Sequence, residues 1–88
     1  MILGILGGGQ LGMLLAQAAN KIGIDIFIYS NSNDSPAINY CQKSIIQSYD
    51  NLDTLDKFIK ECDVITFEFE NIPFETLNYI LKDKPVFP

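Results

Sequence analysis

The sequence predicts a three-layer α/β fold built on a parallel sheet of about five strands, and three observations lead there. Short apolar segments rich in isoleucine, valine and phenylalanine alternate with segments whose apolar residues recur at helical spacing. The connections between them are short, which favours parallel strands joined by crossover helices. A glycine array, Gly7-Gly8-Gly9-Gln10-Leu11-Gly12, separates the first strand from the first helix.

Ile2–Leu6 is the first strand. Leu11, Leu14, Leu15, Ala18, Ala19 and Ile22 then follow at helical spacing and are expected to face inward. Lys21 suits the last turn of that helix, and Gly23 suits the left-handed position just after it. Ile24–Tyr29 is the second strand, and Ser30 to Asp34 is a polar loop. Ser35-Pro36 can open a short helix, with the serine as cap and proline in the first turn. Ser44–Gln47 is a third, short strand. Asp50 or Asn51 can cap the next helix, which turns Leu52, Leu55, Phe58 and Ile59 inward. Asp53/Lys57 and Asp56/Lys60 are spaced as solvated pairs on its outer face, each contributing about 0.3 kcal/mol. Asp63–Phe67 is the fourth strand. Pro73 opens a helix to about Lys82 with Phe74, Leu77 and Leu81 inward, and residues 85–88 form a fifth strand.

Eighty-eight residues suit a single domain, 1–88, with a modest core. A chain that stops just after a strand is expected to be a first domain rather than a whole enzyme. The net charge of −5, with six lysines and no arginine, disfavours nucleic acid as a partner. The apolar runs are too short to cross a membrane, and no basic stretch precedes an apolar N-terminal segment. The expected location is therefore the cytoplasm, with Cys41 and Cys62 as buried, reduced thiols. Histidine is absent, which removes the usual general base and the commonest metal ligand.

In open parallel sheets ligands bind at the carboxyl ends of the strands, where the strand order reverses. With the order 3-2-1-4-5, strands one and four flank that reversal. The glycine turn, with Gly9, Gln10, Leu11 and Gly12, then faces the segment after strand four, Glu68-Phe69-Glu70-Asn71. Glycines there allow a tight turn and a close approach of ligand to backbone, while the helix start presents N–H groups to an anion. Glu68 and Glu70 lie two apart and can accept hydrogen bonds from ribose hydroxyls or an amine; metal binding or proton transfer is a lesser role for them. Phe67 and Phe69 belong to the core.

The array G-x-G-x-x-G after a first strand also suits a dinucleotide, so an NAD(P)-binding, Rossmann-like domain of an oxidoreductase is one rival reading. That site wants an acid at the end of strand two, where this chain has Tyr29-Ser30-Asn31. A second rival is a non-catalytic, nucleotide-binding regulatory module. A phosphate would also lack countercharge, because no lysine or arginine lies between Met1 and Asn20.

Gly7-Gly8-Gly9-Gln10-Leu11-Gly12, Ser35-Pro36-Ala37, Tyr49-Asp50 and Cys62-Asp63-Val64-Ile65-Thr66-Phe67-Glu68-Phe69-Glu70-Asn71-Ile72-Pro73 together resemble one family. It is the 5-(carboxyamino)imidazole ribonucleotide synthases, also called the ATPase subunit of phosphoribosylaminoimidazole carboxylase, at their N-terminal pre-ATP-grasp domain. The resemblance runs along essentially the whole chain. It implies a purine-biosynthesis ligase that uses ATP and bicarbonate to carboxylate 5-aminoimidazole ribonucleotide, through carboxyphosphate. It implies ATP and Mg²⁺ held by ATP-grasp domains absent from these residues, a full-length homodimer, and no activity for this portion alone. It implies ribonucleotide contacts from Gln10, Leu11 and Glu68, with Asn71 a further candidate. The chain departs from the family pattern at Met13, where many members are basic, and at Ser30, where many have aspartate.

Overall fold

The computed structural model describes residues 1–32, 35–67, 72–84 and 86–87; the side chain of Phe87 is not among them. Five strands run in the order β3-β2-β1-β4-β5, and every neighbouring pair is parallel. The strands are β1 (Ile2–Leu6), β2 (Asp25–Ser30), β3 (Lys43–Ile46), β4 (Val64–Phe67) and β5 (Val86–Phe87). Between them lie α1 (Gln10–Lys21), a 3₁₀ turn η1 (Pro36–Tyr40), α2 (Leu52–Glu61) and α3 (Phe74–Leu81). The expected element order and sheet order are both present, with strand ends displaced by a residue or so.

Alternation along the strands divides the core in two. Ile5, Ile26 and Ile28 pack with Ala16, Ala19 and Ala37, beneath α1 and η1. Leu6, Phe27, Tyr29 and Ile65 pack with Leu55, Phe58, Ile59, Cys62 and Ile80, beneath α2 and α3. Four aromatic rings organise this second layer. Phe58 meets Phe27 and Tyr29 edge-on at 5.0 and 5.5 Å, and Tyr29 stacks on Tyr49 at 5.8 Å. The buried Tyr29 hydroxyl is satisfied by the Ser48 carbonyl at 2.6 Å and Thr54 Oγ1 at 2.7 Å. Burial pushes its pKa upward, against the opposing effect of the Thr54 bond.

The inward faces of two helices differ from expectation. Leu11, Leu14 and Ile22 of the first helical segment are 51, 57 and 73% exposed, and Ala18 is exposed as well. Of that set Ala19 is buried and Leu15 packs at the margin; the helix also buries Gly12 and Ala16, with Met13 at the margin. Small residues let the helix axis approach the sheet, and η1 takes the remaining space. In α3 the buried residues are Thr76 and Ile80, while Phe74 and Leu81 are 72 and 53% exposed. Leu52 is also exposed, although Leu55, Phe58 and Ile59 of α2 are buried as expected.

Helix ends follow their local chemistry. Asn51, not Asp50, caps α2 by accepting from the Thr54 N–H at 3.2 Å. Gly23 has φ +78° and ends α1 with Ile24 N–H on the Ala19 carbonyl and Gly23 N–H on that of Asn20. Asp56 takes the Tyr79 O–H at 2.6 Å rather than pairing with Lys60. Among the described residues the ion pair is Lys43–Glu61, with Lys43 also over the Phe27 ring. Both cysteines are free; Cys62 is buried and Cys41 only half-buried. No described helix is long and apolar enough to cross a membrane.

Candidate functional site at the carboxyl ends of strands β1, β2 and β4

The strand order reverses between β1 and β4, whose last paired residues are Leu6 and Phe67. The next residues in sequence are the glycine turn on one side and Glu68 on the other. The predicted juxtaposition of these two strand ends is therefore present. Glu68 and Asn71 themselves, with Phe69 and Glu70, lie outside the described residues.

Gly7 leaves β1 with φ 103°, a conformation that excludes a side chain in practice. Its N–H still bonds the Tyr29 carbonyl at 2.8 Å, so the turn begins in register with β2. Gly9 stands at the N-cap of α1, where its carbonyl accepts from Met13 N–H at 2.9 Å. Gly9 is half-buried, Gln10 and Leu11 are exposed, and Gly12 is buried against the core. Of the four predicted turn residues, Gln10 and Leu11 are thus the ones whose side chains face outward. Gly12 works as a packing residue.

The sequence marks Ser30 as a missing acid and as a departure that puts the tie between strand two and the glycine turn in question. In the structure it is 2% exposed, and its hydroxyl lies 2.6 Å from that of Ser35. Ser35 does not cap η1 with its side chain; the hydroxyl also reaches the Ser32 carbonyl at 2.8 Å. The Ser32 N–H approaches Ser30 Oγ at 3.2 Å. Ser35 sits directly against Gly8: a Cβ placed on Gly8 would lie 2.8 Å from Ser35 Oγ. Ala37 N–H donates to the Gly8 carbonyl at 3.0 Å. The end of β2 therefore meets the glycine turn through backbone bonds at Gly7 and Gly8 and the packing of Ser35, with linked serines where a dinucleotide site would place a carboxylate. A Ser-Pro five residues beyond a strand end was the only sequence signal for this contact.

Charge around the rim is lopsided. Helices of a parallel α/β unit start at the carboxyl ends of the strands, and the first turns of α2 and α3 carry Asp53 and Glu75. Lys21 and Lys60 lie in last turns, Lys43 opens β3, and Lys82 and Lys84 follow α3, all toward the opposite rim. Among the described residues no three acid, thiol or imidazole groups cluster as a metal site.

Comparison with known proteins adds the family. The model of the ribonucleotide synthetase preATP-grasp domain matches residues 1–88. The chain is 41% identical over 86 residues to the bifunctional purine synthesis protein purC/E of Dictyostelium discoideum. That match covers 98% of this chain and 9% of the relative. It is 40% identical over 78 residues to N5-carboxyaminoimidazole ribonucleotide synthase of Staphylococcus aureus strain COL, covering 89% of this chain and 21% of that protein. The crystal structure of the S. aureus N5-carboxyaminoimidazole synthetase superposes with a TM-score of 0.89 at 36% identity, over 97% of this chain and 23% of that one. The N5-carboxyaminoimidazole ribonucleotide synthetase of Thermus thermophilus gives 0.90 at 30% identity, over 98% of this chain and 24% of that one. The chain thus spans at most about a fifth of the curated relatives' length. By a match over its whole extent, it belongs to the ribonucleotide synthetase preATP-grasp domain family.

Proposed function

We propose that this chain is the ribonucleotide-holding portion of a purine-biosynthesis ligase that carboxylates 5-aminoimidazole ribonucleotide with ATP and bicarbonate. The observation that carries this reading is the match to N5-carboxyaminoimidazole ribonucleotide synthases along nearly the whole chain, in sequence and in backbone. The geometry is consistent with it. Gln10 and Leu11 face outward from the turn at the switch point, beside the strand end that leads to Glu68 and Asn71. Gly9 and Gly12 shape the turn and supply backbone to it. Glu68 accepts hydrogen bonds from the ribose or the amine, and Asn71 supports it.

ATP and Mg²⁺ belong to ATP-grasp domains beyond these residues. Structures of relatives are described as complexed with ADP or ATP. The complete protein is a cytoplasmic homodimer in this reading. The dinucleotide rival is disfavoured by Ser30, whose buried hydroxyl is committed to neighbouring serine groups.

The test is a coupled assay of the complete gene product. ADP release should require both 5-aminoimidazole ribonucleotide and bicarbonate, and Glu68→Gln should raise the KM for the ribonucleotide by about tenfold or more. The 88-residue chain alone should turn over no ATP. ADP release indifferent to the ribonucleotide, or saturable micromolar binding of NADH, would overturn the assignment.

A further inference from the structure

We propose that Ser30 and Ser35 act as positioning residues for the glycine turn, a role that rests on the ribonucleotide reading above. Three serines form a closed circuit of hydrogen bonds. In one arrangement Ser32 N–H donates to Ser30 Oγ, Ser30 O–H to Ser35 Oγ, and Ser35 O–H to the Ser32 carbonyl, which also lies 3.2 Å from Ser30 Oγ. Both hydroxyls are needed to close the circuit, so removing either one opens it.

This circuit is the back wall of the turn. Ser35 is in van der Waals contact with Gly8 and, two residues on, Ala37 N–H holds the Gly8 carbonyl at 3.0 Å. On the other side of Gly8, Gly7 N–H is held by the carbonyl of Tyr29, the residue just before Ser30. Gly8 is thus gripped at its Cα and carbonyl by the segment that the serines fold. Gly9, Gln10 and Leu11 follow immediately and carry the outward face of the site. Fixing Gly8 fixes where those groups start. The circuit reaches the turn through the packing of Ser35 against Gly8.

The experiment uses the complete gene product with Ser30→Ala, Ser35→Ala and the double variant. Thr76→Ala serves as a control of comparable buried-hydroxyl loss on the opposite face of the sheet, where Thr76 Oγ1 donates to the Tyr49 carbonyl at 2.7 Å. Amide exchange is read in peptides spanning residues 7–12 and 35–40 without ligand, and 5-aminoimidazole ribonucleotide affinity is read by calorimetry. Each serine variant should speed exchange in both peptides by about tenfold and weaken the ribonucleotide by a similar factor. The double variant should be no worse than either single one, because one circuit is broken in every case. Thr76→Ala should leave both readouts at wild type even if it lowers Tm. Wild-type exchange and affinity in the serine variants would overturn the proposal, as would equal losses in Thr76→Ala. Faster exchange in a protein that binds no ribonucleotide would support the clasp and defeat the ribonucleotide reading instead.

Discussion

At the scale of single residues, two glycines show how closely the chain is packed around its site and core. Gly4 faces Phe58 and Cys62 from the middle of β1; a Cβ there would lie 2.8 Å from Phe58 Cζ and 3.2 Å from Ile65 Cγ1, and would also strike Cys62 Sγ. Neither a ring nor a buried thiol can yield in that layer, so Gly4→Ala should cost about 1–3 kcal/mol in chemical denaturation. Gly8 lies outside the left-handed region, and its objection to a side chain is Ser35 at close range. Gly8→Ala should therefore destabilise, and adding Ser35→Gly should recover part of the loss; no recovery would show that strain lies elsewhere in the turn. Cys62 makes a third test. Burial, with help from the Glu61 charge, pushes its thiol up to about 12 from an ordinary value of 9.0. The folded protein then holds a proton that the unfolded chain releases, so stability is intact below pH 9 and falls as pH rises from 9 toward 12. Thermal melts across about pH 8 to 10.5 should show that decline, and Cys62→Ala should flatten it.

At the scale of elements, type and order were legible because they depend on spacing, and the facing of α1 was not, because its apolar residues nearly encircle it. Leucines at 11, 14 and 15 and alanines at 16, 18 and 19 leave periodicity with two admissible faces. The structure chooses the one with Gly12, Ala16 and Ala19, which brings the backbone close to β2 and leaves η1 room to pack beside it. Shape decided where hydrophobicity alone did not. In α3, similarly, buried Thr76 is chosen over Phe74 because its hydroxyl reaches the Tyr49 carbonyl. The choice in α1 is checked by contrasting substitutions. Leu14→Gln, on the outer face, should change stability by no more than about 0.5 kcal/mol. Ala16→Leu, on the inner face, should cost about 1–3 kcal/mol by overpacking. The reverse order in urea melts would put the sheet on the other side of the helix.

At the scale of the whole molecule, the polarity of the parallel fold sorts charge as well as shape. Every helix begins at the site rim and ends away from it, so lysines of last turns and following loops gather opposite the site, where Asp25, Glu61, Asp63 and Asp83 accompany them. Half of this was legible in the sequence as the lysine-free stretch from Met1 to Asn20; the other half needed the strand order, which places Lys43, Lys82 and Lys84 at the far rim. The serine clasp was not legible, since it joins hydroxyls across a loop with no periodic signal, and Glu68 and Asn71 remain proposals made from sequence and topology. In the proposed reading a ribonucleotide phosphate lies at this rim, where α1 begins and where no helix carries a lysine in its first turn. That reading draws its countercharge from the rest of the complete gene product. The 88-residue chain should bind 5-aminoimidazole ribonucleotide at least about tenfold more weakly than the complete gene product, and with a shallower dependence on salt, because charge–charge attraction is what salt screens. Calorimetric titrations of both proteins at low and high ionic strength make the comparison. Equal affinity and equal salt dependence would mean that the turn holds the phosphate through backbone N–H groups alone, with no help from the rest of the protein.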